Sequence, residues 1–375
     1  MWYNGLKRRL GGMCRRAVVS LGDENYLGAV FGQVKGCGKM KIASLGGSIT
    51  QGCHATAENR QFASLLAEKL GSLLGAEVEM LNAGIGATDS LFGCARARRQ
   101  VLPFEPDVVV VDFTVNDACG EIYKESFESL VRLLLRDANV KAVVVLENCF
   151  FDGRENARRL HSEVAAHYGL PVVDTALFFD QAMESGEHTA CELSTDLLHP
   201  TDLGHGYIAQ MLCELFAAAK ERFESDEKSF EKPCLPAPLT ACGFENGVMF
   251  DCTNCEPELS GFAADGRVGL PLSDAFQKGW TGARCGDSIS FDFTAKKLFV
   301  QWRRTVSRPA PYAELLVDGE KVAELDGAFE EDWGDFSCMT LVFEADSAKA
   351  HSVTVKVVQA REAMPFMVMS FITFG

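Results

Sequence analysis

The feature that most constrains the fold is an alternation of short apolar runs and amphipathic segments over residues 41–222. The apolar runs are rich in Val, Ile and Leu and lack polar alternation, which is typical of strands buried on both faces. They are Lys41–Leu45, Glu77–Asn82, Asp107–Phe113, Lys141–Glu147 and Pro171–Asp174. Because parallel strands need long crossovers between them, this alternation predicts an α/β domain with a parallel sheet and helices on both faces.

The segments between these runs have apolar side chains at helical spacing. The predicted helices are Asn59–Leu74, Ser126–Arg136, Glu155–Tyr168 and Leu203–Phe223. Ligands of open parallel sheets bind beyond the carboxyl ends of the strands. Polar residues that directly follow the predicted strands are therefore the first candidates for a functional site.

The composition changes after residue 224. Residues 225–241 are charged and then Pro-rich, which indicates a linker. Beyond it, stretches such as Ser288–Phe293 alternate apolar and polar residues between Gly, Asp and Asn turns. We therefore predict an all-β sandwich or jelly-roll domain over residues 242–375, after an α/β domain over residues 41–224. Residues 1–40 are expected to be an N-terminal extension packed on the α/β domain.

Charge and composition exclude several classes of function. The 375 residues include 36 Lys+Arg and 52 Asp+Glu, and the net charge of −16 disfavours binding to nucleic acids or to anionic membrane surfaces. There is no apolar run long enough for a transmembrane helix, and the basic N-terminus lacks the apolar core of a signal peptide. We therefore expect a cytoplasmic protein whose 14 cysteines are reduced thiols. A homodimer is left open as a general property of soluble enzymes.

The first of four motifs is Gly46-Gly47-Ser48-Ile49-Thr50, directly after the first predicted strand. A serine between such glycines and a helix places a hydroxyl at a tight turn, where backbone N–H groups can face an anion. A glycine-rich turn with a capping serine would have the same sequence. This motif alone therefore leaves both interpretations open.

Two further motifs follow the second and third predicted strands. In Asn82-Ala83-Gly84-Ile85-Gly86, a glycine allows a close approach between the backbone and a ligand, although most such glycines serve only a turn. In Thr114-Val115-Asn116-Asp117, the Asn116 amide could donate to a developing oxyanion. An Asx turn is the alternative at this position.

The fourth motif, Asp196-Leu-Leu-His199-Pro200, precedes the last predicted helix of the α/β domain. An Asp three residues before a His can accept the Nδ1 hydrogen and leave Nε2 free to take a proton from a serine. A surface histidine near a helix cap would also fit. The four motifs in this order, each at the same end of a sheet, favour the catalytic interpretation.

Together, these motifs resemble the four sequence blocks of the SGNH (GDSL-type) hydrolase family, over about residues 41–222. The resemblance implies a flavodoxin-like three-layer fold and a serine esterase without metal or organic cofactor. It implies that Ser48 is the nucleophile, His199 the general base and Asp196 the residue that orients His199. It also implies an oxyanion hole made by the backbone N–H groups of Ser48 and Gly84 and the side chain of Asn116.

Two departures from the family pattern bear on the substrate. Gly47 stands where the family usually has Asp, and Thr114 stands where it usually has Gly. The Gly-Gly-Ser-Ile-Thr form is similar to a branch that includes carbohydrate O-acetylesterases, often with an appended β-domain. The sequence thus predicts an O-acetylesterase acting on sugars or oligosaccharides. The alternatives are a lipase or lysophospholipase-type esterase, and a carbohydrate-binding protein with a degenerate hydrolase domain.

Further predictions concern Gly47, within the first motif, and several residues outside the four motifs. Gly47, His54 and Arg60 are predicted to contact the substrate. For the run Arg96, Arg98 and Arg99, the prediction is a solvated helix face, with anion binding as the alternative. The pair Cys252 and Cys255 lacks a second ligand pair at zinc spacing, so no metal site is predicted.

Overall fold

The computed structural model describes residues 10–223, 230–331 and 333–375 of the chain. The chain divides into two compact units, Met1–Cys242 and Gly243–Gly375. Residues 10–40 and 230–241 therefore belong to the first unit. Residues 225–229 of the predicted linker lie outside the described residues.

The first unit contains a six-stranded mixed sheet. Its strands are β1 Val18–Leu21, β2 Lys39–Gly46, β3 Glu77–Gly84, β4 Val108–Asp112, β5 Ala142–Glu147 and β6 Pro171–Asp174. Strands β2 to β6 pair in parallel, which confirms the predicted α/β architecture. The unpredicted strand β1 pairs antiparallel with β6 and extends that edge of the sheet.

The strand order is β1-β6-β5-β4-β2-β3. Without β1, it is the order of flavodoxin-like folds, in which the chain leaves the central strand toward one edge and then returns to the other side. Here the change of direction lies between β2 and β4. Ligands are expected at the carboxyl ends of these two strands, where the connections diverge and leave a crevice.

Helices cover both faces of this sheet, which explains the run of apolar residues in each of the central strands β4 and β5. Val109, Val110 and Val111 of β4 are all completely buried, as are Val143, Val144 and Val145 of β5. The helices are α1 Glu24–Cys37, α2 Ser48–Gln51, α3 Phe62–Leu74, α4 Ser90–Gln100, α5 Glu121–Arg136, α6 Arg158–His167, α7 Ala176–Glu184, α8 Ala190–Leu193 and α9 Asp202–Phe223. Among the described residues, no helix has both the length and the apolar character needed to cross a membrane.

In the described residues of the second unit there are nine strands, and all of their ladders are antiparallel. They are β7 Val248–Phe250, β8 Glu258–Ser260, β9 Ala263–Ala264, β10 Trp280–Gly282, β11 Ser288–Arg304, β12 Tyr312–Val317, β13 Glu320–Asp326, β14 Phe336–Gln359 and β15 Phe366–Phe374. Alternate side chains of β11, such as Ile289, Phe291 and Phe293, enter the core. The all-β prediction is confirmed, whereas the jelly-roll topology stays a prediction.

Tryptophans of the second unit divide into two groups. Trp280 and Trp302 are buried in its core, with 1% and 4% of their surfaces exposed. Trp333 is 55% exposed, and its indole N–H donates to Glu331. Of these three tryptophans, Trp333 is therefore the one whose ring is accessible to a ligand.

Within the first unit, the Pro-rich end of the predicted linker is bound to α5 through a buried carboxylate. Glu128 of α5 accepts hydrogen bonds from the Tyr168 hydroxyl and the Leu239 amide, both at 2.6 Å, and from the amide and hydroxyl of Thr240 at 2.7 and 2.6 Å. Burial alone would raise the pKa of Glu128, but these four donors lower it below its usual range. The ionised carboxylate thus ties residues 239 and 240 to α5.

Replacement of Glu128 by Gln should lower the free energy of unfolding by about 2–4 kcal/mol, because the amide cannot accept from all four donors. The stabilisation should be present above the ordinary pKa of glutamate and be lost as the pH falls through the lowered value. Urea denaturation of the full chain at neutral and acidic pH measures both effects. Glu68→Gln, at an exposed position of α3, is the control. Equal stability of the two variants at neutral pH would contradict the role of Glu128.

Candidate active site

Ser48 begins α2 immediately after β2 ends at Gly46. Its side chain is 8% exposed, and its position as the first residue of a helix leaves its backbone N–H without an intrahelical acceptor. The preceding residue, Gly47, packs directly against the Asn116 amide, and a Cβ at position 47 would overlap that amide. The absence of a side chain at Gly47 therefore allows this close packing of Asn116.

Asp196 and His199 lie in a tight loop between α8 and α9. The loop is closed by a hydrogen bond from the Thr201 amide to the Leu193 carbonyl at 2.8 Å. Within it, Leu197 adopts the left-handed backbone conformation, with φ of 65°. This turn lets Asp196 Oδ1 accept hydrogen bonds from the backbone amides of Leu198 and His199, at 3.0 and 2.7 Å. The carboxylate is thereby held in place before it contacts the imidazole.

A hydrogen-bonded chain connects this loop to Ser48. His199 Nδ1 lies 2.6 Å from Asp196 Oδ2, and His199 Nε2 lies 2.8 Å from Ser48 Oγ. Partial burial would raise the pKa of Asp196, but its bonds from the His199 ring and from the two backbone amides hold that pKa well below its usual range. An ionised carboxylate only accepts, so Nδ1 carries the hydrogen and the Nε2 lone pair faces the serine hydroxyl.

His54 places a second imidazole beside the same carboxylate. Its Nε2 lies 3.7 Å from Asp196 Oδ2, its ring centroid is 5.0 Å from that of His199, and Thr195 Oγ1 is 3.0 Å from its Nδ1. The ligand atoms of His54, Asp196 and His199 lie within 4.8 Å of one another. Two ligands of one tetrahedral zinc ion would be about 3.3 Å apart. The shorter Asp196–His199 distance instead fits a hydrogen bond.

Asn116 follows β4 on a loop that Asp117 anchors. Asp117 Oδ1 accepts the Ser90 amide at 2.8 Å, and its Oδ2 is 2.9 Å from His161 Nε2. The His161 ring is completely buried and stacks on Phe127 at 3.6 Å. These contacts attach the loop that carries Asn116 to α4, α5 and α6.

Gly84 is the last residue of β3, and Gly86 lies in the loop beyond it; of the two, Gly86 has the backbone amide that is better placed to donate to a ligand near Ser48. The Gly84 amide already donates to Asn82 Oδ1 at 2.9 Å, and a Cβ at Gly84 would overlap the backbone of Gln51 in α2. By contrast, a Cβ at Gly86 would be 3.8 Å from Ser48 Cβ. No acceptor for the Gly86 amide is found in the described part of the chain. Gly84 instead permits the close packing of α2 on β3.

The remaining candidates have different positions. Arg60 is exposed on a short 3₁₀ turn, Glu58–Arg60, and within the described residues it makes no hydrogen bond or ion pair with Ser48, Asp196 or His199. In the basic run, only Arg98 is fully exposed, whereas Arg96 is completely buried, which corrects the prediction of a solvated face for that residue. The burial of Arg96 has no signal in the local sequence, which is basic throughout.

Asp112, the last residue of β4, lies beneath the serine helix. Its Oδ2 accepts the Thr50 hydroxyl at 2.8 Å, and its backbone carbonyl accepts the Gly47 amide at 3.3 Å. Burial raises the pKa of Asp112 to about 6, although the Thr50 hydrogen bond opposes the shift. Asp112 therefore becomes charged near pH 6 in the folded protein and near its ordinary value in the unfolded chain.

This raised pKa predicts a pH dependence of stability. Between about pH 4 and about pH 6 the folded state retains a proton that the unfolded state has lost, so the contribution of Asp112 to stability falls as the pH rises. Two pKa units correspond to about 3 kcal/mol at most. The stability of Asp112→Asn relative to wild type should rise over this range and then level off. Urea denaturation of both proteins from pH 4 to 8 tests this, and parallel profiles would contradict it.

Comparisons with known proteins agree with this geometry. The model of the GDSL-like lipase/acylhydrolase family matches residues 44–207, a range that includes Ser48, Asn116, Asp196 and His199. A search of curated proteins found no match.

Two similar solved structures cover both units of the chain. One is a two-domain esterase active on acetylated mannans, which is 33% identical, with 96% of this chain and 97% of the other covered and a TM-score of 0.89. The other is such an esterase co-crystallised with mannopentaose, also 33% identical, with 96% of each chain covered and a TM-score of 0.88. With this similarity along nearly the whole sequence, the chain belongs to the GDSL-like lipase/acylhydrolase family of carboxylic ester hydrolases.

Proposed function

We propose that this enzyme removes acetyl groups from the hydroxyls of sugar chains through an acetyl-enzyme on Ser48. The observation that carries the proposal is the chain of contacts from Asp196 through His199 to Ser48, at 2.6 and 2.8 Å. A serine hydroxyl is a weak nucleophile until an adjacent base takes its proton. The two distances are those that such a proton transfer requires.

In the proposed reaction, Ser48 Oγ attacks the ester carbonyl carbon while its proton passes to His199 Nε2. The resulting imidazolium is stabilised by Asp196. When the tetrahedral intermediate collapses, the bond to the sugar oxygen breaks and His199 returns the proton to that oxygen. Water, activated by His199 in the same way, then attacks the acetyl-serine and releases acetate.

Three N–H donors are proposed to stabilise the tetrahedral oxyanion. They are the backbone amides of Ser48 and Gly86 and the side-chain amide of Asn116. Gly86 replaces the Gly84 of the sequence-based prediction because the Gly84 amide donates to Asn82. The packing of Asn116 against Gly47 supports this role, since it holds the amide beside the residue that precedes the nucleophile.

The proposed substrate class rests on the two-domain esterase that acts on acetylated mannans, which resembles this chain from end to end. An acetylated manno-oligosaccharide is accordingly the first substrate to test. His54 remains a candidate for contact with a sugar hydroxyl because its side chain is 39% exposed and lies next to the triad of Ser48, His199 and Asp196. Gly47 is covered by the Asn116 side chain and is therefore less accessible to the substrate than His54. Contact between Arg60 and the substrate is also proposed. For Trp333, stacking of its exposed ring on a sugar is proposed.

Ser48→Ala and His199→Ala should each lower kcat by about 10⁴-fold or more, because neither residue acts without the other. The assay is acetate release from acetylated manno-oligosaccharides, with p-nitrophenyl acetate and a p-nitrophenyl ester of a long acyl chain in parallel. Ser185→Ala and His167→Ala, which lie outside the hydrogen-bonded chain, are matched controls. Undiminished turnover in both triad variants would refute the proposed chemistry, and preference for the long acyl chain would refute the acetyl substrate.

Asn116→Ala should lower kcat by about 10²–10³-fold with little change in KM, because the lost donor acts on charge that develops only in the transition state. Asn116→Asp keeps the shape of the side chain but replaces the donor with a charged acceptor. We expect it to be at least as slow. A rise in KM with unchanged kcat in both variants would assign Asn116 to substrate binding instead.

A further inference from the structure

Arg96 is a completely buried arginine whose guanidinium binds the backbone where two strands end. It projects from α4, and its NH1 group donates to the Ala83 carbonyl at 2.7 Å and to Gln100 Oε1 at 3.0 Å. Its NH2 group donates to the Gly46 carbonyl at 3.0 Å. Gly46 is two residues before Ser48, and Ala83 is three residues before Gly86. The planar Arg96 guanidinium therefore binds the backbone just before the Ser48 loop and just before the Gly86 loop. These are the two loops that supply backbone amides to the proposed oxyanion hole.

The charge of this guanidinium is not neutralised by a carboxylate in the described part of the chain. Its hydrogen-bond acceptors are two carbonyl oxygens and an amide oxygen, and no ion pair involves it. Burial alone lowers the pKa of Arg96 to about 9, so the group stays protonated at neutral pH. Buried charges are normally paired, since desolvation without a counter-charge is unfavourable. Such an exception to the packing rules is typical of functional sites.

Lysine could not replace the arginine in this position. The guanidinium is a rigid planar fork, so its two terminal nitrogens can donate to carbonyls of neighbouring strands at the same time. A lysine ammonium is a point charge on a flexible stem and would not set the spacing of the two carbonyls. The Gly46 carbonyl also accepts the Ile85 amide at 3.1 Å, so the guanidinium completes a bridge between the ends of β2 and β3.

We infer that Arg96 is a positioning residue for the esterase reaction: it aligns the Ser48 and Gly86 loops, and its unpaired charge favours the anionic tetrahedral intermediate. The inference rests on the proposed function of Ser48. Arg96 has no path to the substrate, because its side chain is fully buried under the strand ends. Its effect must therefore be transmitted through the backbone it binds and through the electric field in a low-dielectric interior.

The test compares Arg96→Met, which removes the charge and the fork, with Arg96→Lys, which keeps a charge but loses the fork. Arg132→Met is the matched control, because Arg132 is 6% exposed and donates to the Tyr168 hydroxyl and the Pro236 carbonyl, both at 2.9 Å, away from the serine loop. Each full-length variant is assayed for kcat and KM on p-nitrophenyl acetate. Inhibition by phenylboronic acid is also measured, since boronic acids form an anionic tetrahedral adduct with a catalytic serine.

For Arg96→Met, we expect kcat to fall by about 10–10²-fold, less than for loss of a direct oxyanion donor, with KM within about threefold of wild type. The inhibition constant of phenylboronic acid should rise by about the same factor by which kcat/KM falls. Arg96→Lys should lie between Arg96→Met and wild type. Arg132→Met should unfold at a lower temperature but keep both kinetic constants within about twofold.

Two results would overturn the inference. One is a folded Arg96→Met or Arg96→Lys enzyme with wild-type kcat/KM. The other is a loss of kcat/KM that is not accompanied by weaker boronate inhibition. If Arg96→Met does not fold, the Arg96→Lys comparison decides alone. Failure of the proposed function is seen separately, as wild-type ester turnover that equals the turnover of Ser48→Ala.

Discussion

The carboxyl ends of β2, β3 and β4 lie side by side in the parallel sheet, and the arrangement of the active site depends on that alignment. Gly46 pairs with Gly84 on one side and with Asp112 on the other. This register brings the loops of Ser48, Gly86 and Asn116 together, although they are far apart in the sequence. The loop of Asp196 and His199 then completes the site through the hydrogen bond to Ser48 Oγ. Backbone pairing thus places these three loops, and the tight loop between α8 and α9 adds His199.

The interior below the serine loop is unusually polar for a domain core. Arg96 binds the carbonyl at Gly46, and Asp112 accepts the Thr50 hydroxyl within the serine helix. Asn82 adds a further bridge, since its Nδ2 donates to the Thr50 carbonyl at 2.8 Å while its Oδ1 holds the Gly84 amide. These groups leave α2 few alternative positions. Such preorganisation matters for ester hydrolysis, because donors that are already oriented need no rearrangement when the oxyanion forms.

Most of the sheet could be predicted from the sequence because β4 and β5 are buried on both faces and, apart from their last residues Asp112 and Glu147, are apolar. Strand β1 was missed because it is a short edge strand whose Val19 is 57% exposed, so the pattern of a buried strand is absent. In the site, Gly84 and Gly86 look alike in sequence. The difference between them is the Asn82 side chain, which occupies the Gly84 amide through a contact that strand geometry creates. The burial of Arg96 could not be predicted either, because the sequence of a basic run on a helix does not show whether one of its side chains points into the core.

By itself, the sequence determined the α/β pattern, the antiparallel β-domain and the four motifs that carry Ser48, Asn116 and the Asp196–His199 pair. These are local properties, since each depends on residue spacing within one element or one turn. Only the tertiary structure decided that the Gly84 amide is bonded to Asn82, that the Asn116 side chain packs on Gly47 and where the Arg96 charge lies. The position of the Arg96 charge and the packing at Gly47 depend on contacts between residues 13 to 69 positions apart in the chain, such as Arg96 with Ala83 and Gly47 with Asn116. The spacing of residues along the chain holds no record of such contacts, because they exist only after the strands have paired.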